Sequence, residues 1–132
     1  MTANKQDILT LDDVKVLVNG FYGKVRENEL LGPIFNKVIQ DRWDTHLQKM
    51  YTFWETVLLG NHTYFGSPFP PHAKLPIDKH HFDTWLQLWH STIDEHFQGN
   101  KATEAKWRGD KMAVMFLSKL EYFNKNSRVS LI

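Results

Sequence analysis

The side chains able to do chemistry in this chain are scattered rather than clustered. Seven histidines are its candidate nitrogen ligands, and there is no cysteine, which excludes disulfides, thiolate metal ligands, iron–sulfur clusters and a cysteine nucleophile. His72 stands apart because it follows Pro70-Pro71, two ring-locked residues that restrict how the backbone enters the position. A rigid approach of this kind suits a ligand that must hold one angle to a metal. It suits an ordinary stiff connector equally well. Three further polar groups, Tyr22, His46 and Trp85, fall on or beside the apolar faces of three separate helical segments. Each has an ordinary alternative: a core tyrosine with its hydroxyl at the protein edge, a satisfied or rim histidine, and a core-filling indole. There is no glycine-rich phosphate loop, no His-Glu-x-x-His and no Gly-x-Ser-x-Gly, so nucleotide binding, zincin chemistry and serine hydrolysis have no positive support.

Helices must position these groups, and the apolar spacing predicts five. Thr10 followed by Asp12 and Asp13 reads as a helix start, after which Val14, Leu17, Val18, Phe21, Tyr22 and Val25 recur at helical intervals. Gly20 and Gly23 in that run predict a second helix crossing closely. A short element opens around Gly32-Pro33. A third helix, from about Asp41 to a stop at Gly60, places His46 and Met50 one turn apart on one side. The stretch from Tyr64 to Pro76 holds four of the five prolines and reads as irregular backbone. Asp78 caps a fourth helix that ends at Gly99-Asn100 and carries Trp85 and Trp89 as an indole ridge. Its histidines, His80, His81, His90 and His96, read mostly as solvated surface groups. The last helix is predicted from about Thr103 to Tyr122. The chain is therefore all-α: an N-terminal extension at 1–10, one domain at 11–123 and a polar, flexible tail at 124–132.

Composition narrows the partners. With 132 residues a real core is affordable without staples. Sixteen Lys and Arg against fifteen Asp and Glu leave a formal net charge of +1, no footprint for nucleic acid or an anionic membrane. No apolar run reaches the ~20 residues of a membrane span, and the expectation is a soluble, cytoplasmic monomer. Aromatic residues make up 14% of the chain, with nine Phe, five Trp and four Tyr. Such side chains fill cores and also line pockets for flat ligands. A planar apolar cofactor carrying one metal would use an axial nitrogen, aromatic walls and a few inward donors together, and haem is the leading candidate.

Phe21-Tyr22, Leu31-Gly32-Pro33-Ile34-Phe35-Asn36, Trp43 through His46 to Phe53-Trp54, Leu58-Leu59-Gly60, and Tyr64 through Gly66, Pro68 and His72 to Leu75-Pro76 follow one another in order. Phe82, Trp85 and Leu86 extend the series, so that it spans about residues 11 to 120. In order and spacing this series resembles the truncated haemoglobins of the third group. The resemblance implies a shortened globin fold, a two-over-two helical sandwich around haem b. Carried over by position, it implies His72 as the proximal iron ligand and Tyr22, His46 and Trp85 as distal, ligand-stabilising residues. Phe35, Met50 and Trp54 are expected to line the haem pocket, with Lys49 and Lys74 as partners for the haem propionates. Met50 departs from the aliphatic residue expected in many relatives.

The function implied is reversible binding of O2 and other diatomic ligands such as CO and NO, for oxygen storage, transport or sensing. Tyr22 and Trp85 would donate to a ligand that gains negative charge, while His46 would add a third bond, act as a gate or ligate the iron. An alternative is a haem-dependent redox enzyme that handles peroxide or nitric oxide with a separate reductase. A remote alternative, from another class, is a helical non-haem metal-binding protein using histidines such as His62, His72 and His81, or an interaction module.

Overall fold

The computed structural model of the protein describes residues 5–66 and 75–130, the last eight of these by backbone alone. Among the described residues the regular structure is entirely helical. Helix α1 spans Leu11–Glu27, α2 Gly32–Ile39, α3 Trp43–Trp54, α4 Lys79–His96 and α5 Asn100–Ser130. A single π-helical turn, Glu55–Leu59, continues α3.

Local chemistry explains the helix ends. At the start of α1 the Thr10 hydroxyl accepts the Asp13 N–H at 3.2 Å, and the Asp13 carboxylate accepts the Thr10 N–H at 3.1 Å. This reciprocal pair satisfies two backbone donors that the first turn leaves open. At α5 the cap comes from far away in sequence: the Asp7 carboxylate accepts the N–H groups of Lys101 and Ala102, both at 2.8 Å. The π turn ends at Gly60, whose φ of +76° is in the left-handed region that glycine adopts without strain. Helix α5 continues to Ser130, past the expected end at Tyr122. No glycine or proline follows Gly109 to stop it.

Helix α1 packs on α2, α3 and α4, and α4 packs on α5. The pairs α1/α3 and α4/α5 form the two layers of a two-over-two sandwich. Leu17, Val18, Phe21, Trp89 and Ile93 are buried between them. The layers meet closely where the α1 backbone passes α4: a Cβ on Gly20 would come within 3.2 Å of the Thr92 methyl. Gly23 plays no such part, because nothing lies within 4 Å of where its Cβ would be. The expected crossing is therefore at Gly20 alone.

The π turn was not foreshadowed in the sequence. Glu55 is buried there, its carboxylate accepting from Thr63 Oγ1 at 2.8 Å and Asn61 Nδ2 at 3.3 Å. Thr56 Oγ1 accepts the backbone N–H groups of Thr63 and Tyr64 at 3.1 and 3.0 Å. These bonds pin residues 61–64 against the end of α3.

Candidate functional site

A cleft opens between the layers, lined by residues of α1, α2, α3, α4 and α5. Most of the wall is apolar, with Phe35, Phe53, Phe82 and Phe116 as its flat surfaces. Four polar side chains interrupt it: Tyr22, His46, His81 and Trp85. Among the described residues no lysine or arginine reaches the wall.

Tyr22 stands at the centre of an aromatic cage. Its ring meets Phe21 edge-on at 4.9 Å between centroids, His46 at 5.1 Å and Trp43 at 5.9 Å. His46 is held between Tyr22 and Trp43, perpendicular to both rings. The outer face of Trp43 is covered by the Arg26 guanidinium at 4.5 Å, a cation–π contact that braces this side of the cage. Burial pushes the Tyr22 phenol well above its ordinary value, because the phenolate would be desolvated here. The group therefore remains a neutral O–H donor throughout the physiological range.

Trp85 comes from the opposite layer and is placed by its neighbours. Phe21 meets it edge-on at 5.2 Å, and Trp89 stacks against it at 5.8 Å. Trp89 is itself immobilised. It is fully buried, it stacks on Trp54 at 4.4 Å, and its indole N–H donates to the Ala105 carbonyl at 2.9 Å. The hydroxyl of Tyr22 and the indole N–H of Trp85 have no hydrogen-bond partner among the described residues. Two donors thus face an apolar cleft uncommitted.

The cleft gathers Tyr22, Phe35, His46 and Trp85, four of the residues singled out in the sequence. Met50 is half-buried and packs against the core without lining the cleft, and Trp54 sits in the core on Trp89. Phe53 lines the wall instead. His72 and Lys74 lie outside the described residues, and Lys49 is exposed on α3. His81 is the exception to the reading of the α4 histidines as mostly solvated groups, a reading that the exposed His80 and His96 follow. His81 lines the cleft, and its side chain is only 16% exposed. No group of three or more histidine or acidic side chains is arranged to hold a metal ion among the described residues.

Comparison with known proteins places this architecture. Residues 7–117 match the bacterial-like globins. The group 3 truncated hemoglobin ctb of Campylobacter jejuni is 34% identical over 94 residues, which cover 68% of this chain and 74% of that protein. The crystal structure of group III truncated hemoglobin from Campylobacter jejuni superposes with a TM-score of 0.82 at 30% identity, over 89% of this chain and 95% of that one. The chain is a group III truncated haemoglobin.

A truncated haemoglobin is a haem-binding globin, and the cleft fits that group in kind. Haem is flat and apolar over most of its surface, and the cleft walls are predominantly phenylalanine and aliphatic side chains. The uncommitted donors of Tyr22 and Trp85 suit a small ligand with an acceptor end. No helix among the described residues of this globin is long and apolar enough to cross a membrane.

Proposed function

We propose that this truncated haemoglobin holds haem b in the cleft through His72 and reversibly binds O2, with CO and NO as further ligands. When bound, the haem would supply a metal able to take a diatomic ligand. The protein's part is to decide which ligand stays. Tyr22 and Trp85 present donors from opposite layers of the sandwich, and each is held by packed aromatic neighbours. Preorganised donors stabilise a ligand that draws negative charge, since they need no reorientation when the charge develops. CO develops less charge and gains less. The observation that carries this reading is the pair of uncommitted donors in an otherwise apolar wall.

The same donors support a second reading, in which the pocket acts on peroxide or nitric oxide with electrons from a separate reductase. His46, caged between Tyr22 and Trp43, would take part in either role.

The test is the visible absorption spectrum of the purified protein reconstituted with haem b, recorded oxidised, reduced and reduced under CO. The expected result is a Soret band that moves with each state and a reduced form that takes up O2 and releases it unchanged. A spectrum that stays that of free haem would overturn the proposal. In His72→Ala, haem retention is expected to collapse; unchanged cofactor content would assign the proximal ligand to another residue.

A further inference from the structure

Three of the five tryptophans form one continuous stack that starts at the cleft and runs into the core. Trp85 lines the cleft. Trp89 lies behind it, with centroids 5.8 Å apart and planes 18° from parallel, and Trp54 lies behind Trp89 at 4.4 Å and 27°. The stack is held at its edges. Phe21 meets Trp85 and Trp89 edge-on at 5.2 and 5.1 Å. The α5 backbone at Gly109 approaches the same two rings, since a Cβ there would fall 2.7 Å from Trp89 Cδ1 and 3.6 Å from Trp85 Cζ3. The two inner rings are sealed from solvent, with Trp89 at 0% and Trp54 at 3% exposure. Stabilising O2 uses only the Trp85 N–H at the cleft end and leaves the inner rings without a part. Phenylalanine or leucine would fill the same core with no N–H to satisfy. What an indole adds is a ring that gives up an electron readily.

We infer that the Trp54–Trp89 pair is an internal one-electron donor to an oxidant in the cleft, with Trp85 as the ring through which the electron passes. This inference rests on the haem b reading above and on its peroxide branch, and the oxidant is hydrogen peroxide. The O–O bond of peroxide breaks as it takes up two electrons and two protons to leave two waters. One electron comes from the haem iron and one from the indole stack, while water provides the protons. The stack is left as an indole radical cation, and the separate reductase of that reading returns the electron. Electron exchange falls off exponentially with the gap between rings, so stacked indoles exchange far faster than rings parted by aliphatic side chains. Burial disfavours the positive charge. Against that, the stacked faces of Trp54 and Trp89 share it over two rings, and the Ala105 carbonyl that accepts the Trp89 N–H at 2.9 Å turns its negative end toward it. A backbone carbonyl is no base at neutral pH, so the N–H proton stays in place. The Tyr22 phenol, by contrast, must shed its proton to lose an electron, and its hydroxyl has no acceptor among the described residues.

The experiment mixes the ferric, haem b-loaded protein with hydrogen peroxide, freeze-quenches it and records the electron paramagnetic resonance spectrum. The unaltered chain is prepared with ring-deuterated tryptophan and, separately, with ring-deuterated tyrosine. Trp89→Phe, Trp54→Phe and Trp107→Phe are then compared, each with its Soret band checked against that of the unaltered protein. The expected signal is an organic radical that narrows with the tryptophan label and not with the tyrosine label. It is expected to be lost in Trp89→Phe and to broaden in Trp54→Phe, where the spin is confined to one ring. Trp107→Phe, at a ring 51% exposed on α5, is expected to leave it unchanged. A signal that follows the tyrosine label overturns the inference, as does one that survives Trp89→Phe or disappears in Trp107→Phe. Consumption of peroxide with no protein radical overturns it too. The labels are read in the unaltered chain, so they decide between indole and phenol even where a variant fails to fold. If the haem-loaded protein leaves peroxide unconsumed, the peroxide branch falls and the inference with it, while O2 binding stands. Failure to take up haem b instead counts against the function proposed above.

Discussion

The ring of Tyr22 stands perpendicular to that of His46, with centroids 5.1 Å apart and an interplanar angle of 89°. The contact belongs to the rings, while the Tyr22 hydroxyl is left for the cleft. Tyr22→Phe therefore removes a donor and little else, because the contacts with Phe21, Trp43 and His46 need only the ring. A hydrogen bond to a charged acceptor contributes roughly 1.5–3 kcal/mol, which is about tenfold or more in a dissociation rate. Tyr22→Phe is expected to speed O2 release by that factor and CO release by much less. Stopped-flow replacement of O2 by CO measures it, and Trp85→Phe is expected to act in the same direction. If peroxide turnover in the same variants does not change in step with O2 release, the enzymatic reading loses its support in the distal pocket.

Burial of Tyr22 also couples folding to alkaline pH. Its phenol is raised by desolvation above the ordinary value near 10. The folded chain thus keeps a proton that the unfolded chain starts to lose at about pH 10. The stabilisation is fully present below that pH and is lost as pH rises through the higher folded-state value. Urea unfolding at pH 8, 10 and 11 is expected to show a steeper alkaline loss in the unaltered protein than in Tyr22→Phe. Parallel losses would mean that Tyr22 ionises in the folded state as freely as in water.

Much of this arrangement is readable in the sequence, because the relevant signals are local. Thr10 and Asp78 cap the helices they were expected to cap, Gly60 ends the α3 segment, and helical spacing brings Tyr22, Phe35, His46 and Trp85 to one cleft. The remainder depends on partners distant in the chain. The buried Glu55 makes sense only with Asn61 and Thr63 folded back on it. One residue is about 100° of helix, so Phe53 reaches the cleft while Trp54 turns to Trp89. His81 is an exception of another kind: the bond from the Asp78 N–H that orients it is local, three residues away at the start of α4, but histidine is not the usual third residue of a capping box, so it resembled its exposed neighbour His80.

Two glycines of similar appearance in the sequence are expected to respond oppositely to alanine. A Cβ on Gly109 would lie 2.7 Å from Trp89 Cδ1 and 2.8 Å from its Nε1. Trp89 cannot yield without breaking its stack on Trp54 and its bond to Ala105. Overpacking of this kind costs about 1–3 kcal/mol, against up to ~1 kcal/mol gained in helix propensity. Gly109→Ala should therefore destabilise the fold. Gly23 is exposed in α1 with open space at its Cβ, so Gly23→Ala should stabilise by roughly 0.5–1 kcal/mol. Chemical denaturation of both variants checks the pair, and equal signs would refute the close approach at Gly109.

Asp7 joins the chain before α1 to the start of α5. Burial alone would raise its carboxyl, but the N–H groups of Lys101, Ala102 and Ile8 and the nearby Lys101 charge outweigh that and hold it below the usual carboxylate value. Because the folded value is depressed, the stabilisation is present above the unfolded value near 4 and is lost as pH falls through the folded one. Asp7→Ala removes a cap worth about 1 kcal/mol at neutral pH, and the penalty should shrink below pH 4 as the unaltered protein loses the same interaction. Gly99 guards this junction twice: its φ is +130°, and a Cβ there would fall 2.7 Å from Asp7 Cγ. Gly99→Ala is therefore expected to cost more than Asp7→Ala, since it strains the backbone and displaces the carboxylate together. Urea midpoints for both variants at pH 7 and pH 3.5 decide the matter; a penalty for Asp7→Ala that is the same at both pH values would show that its carboxylate charge does not hold α5.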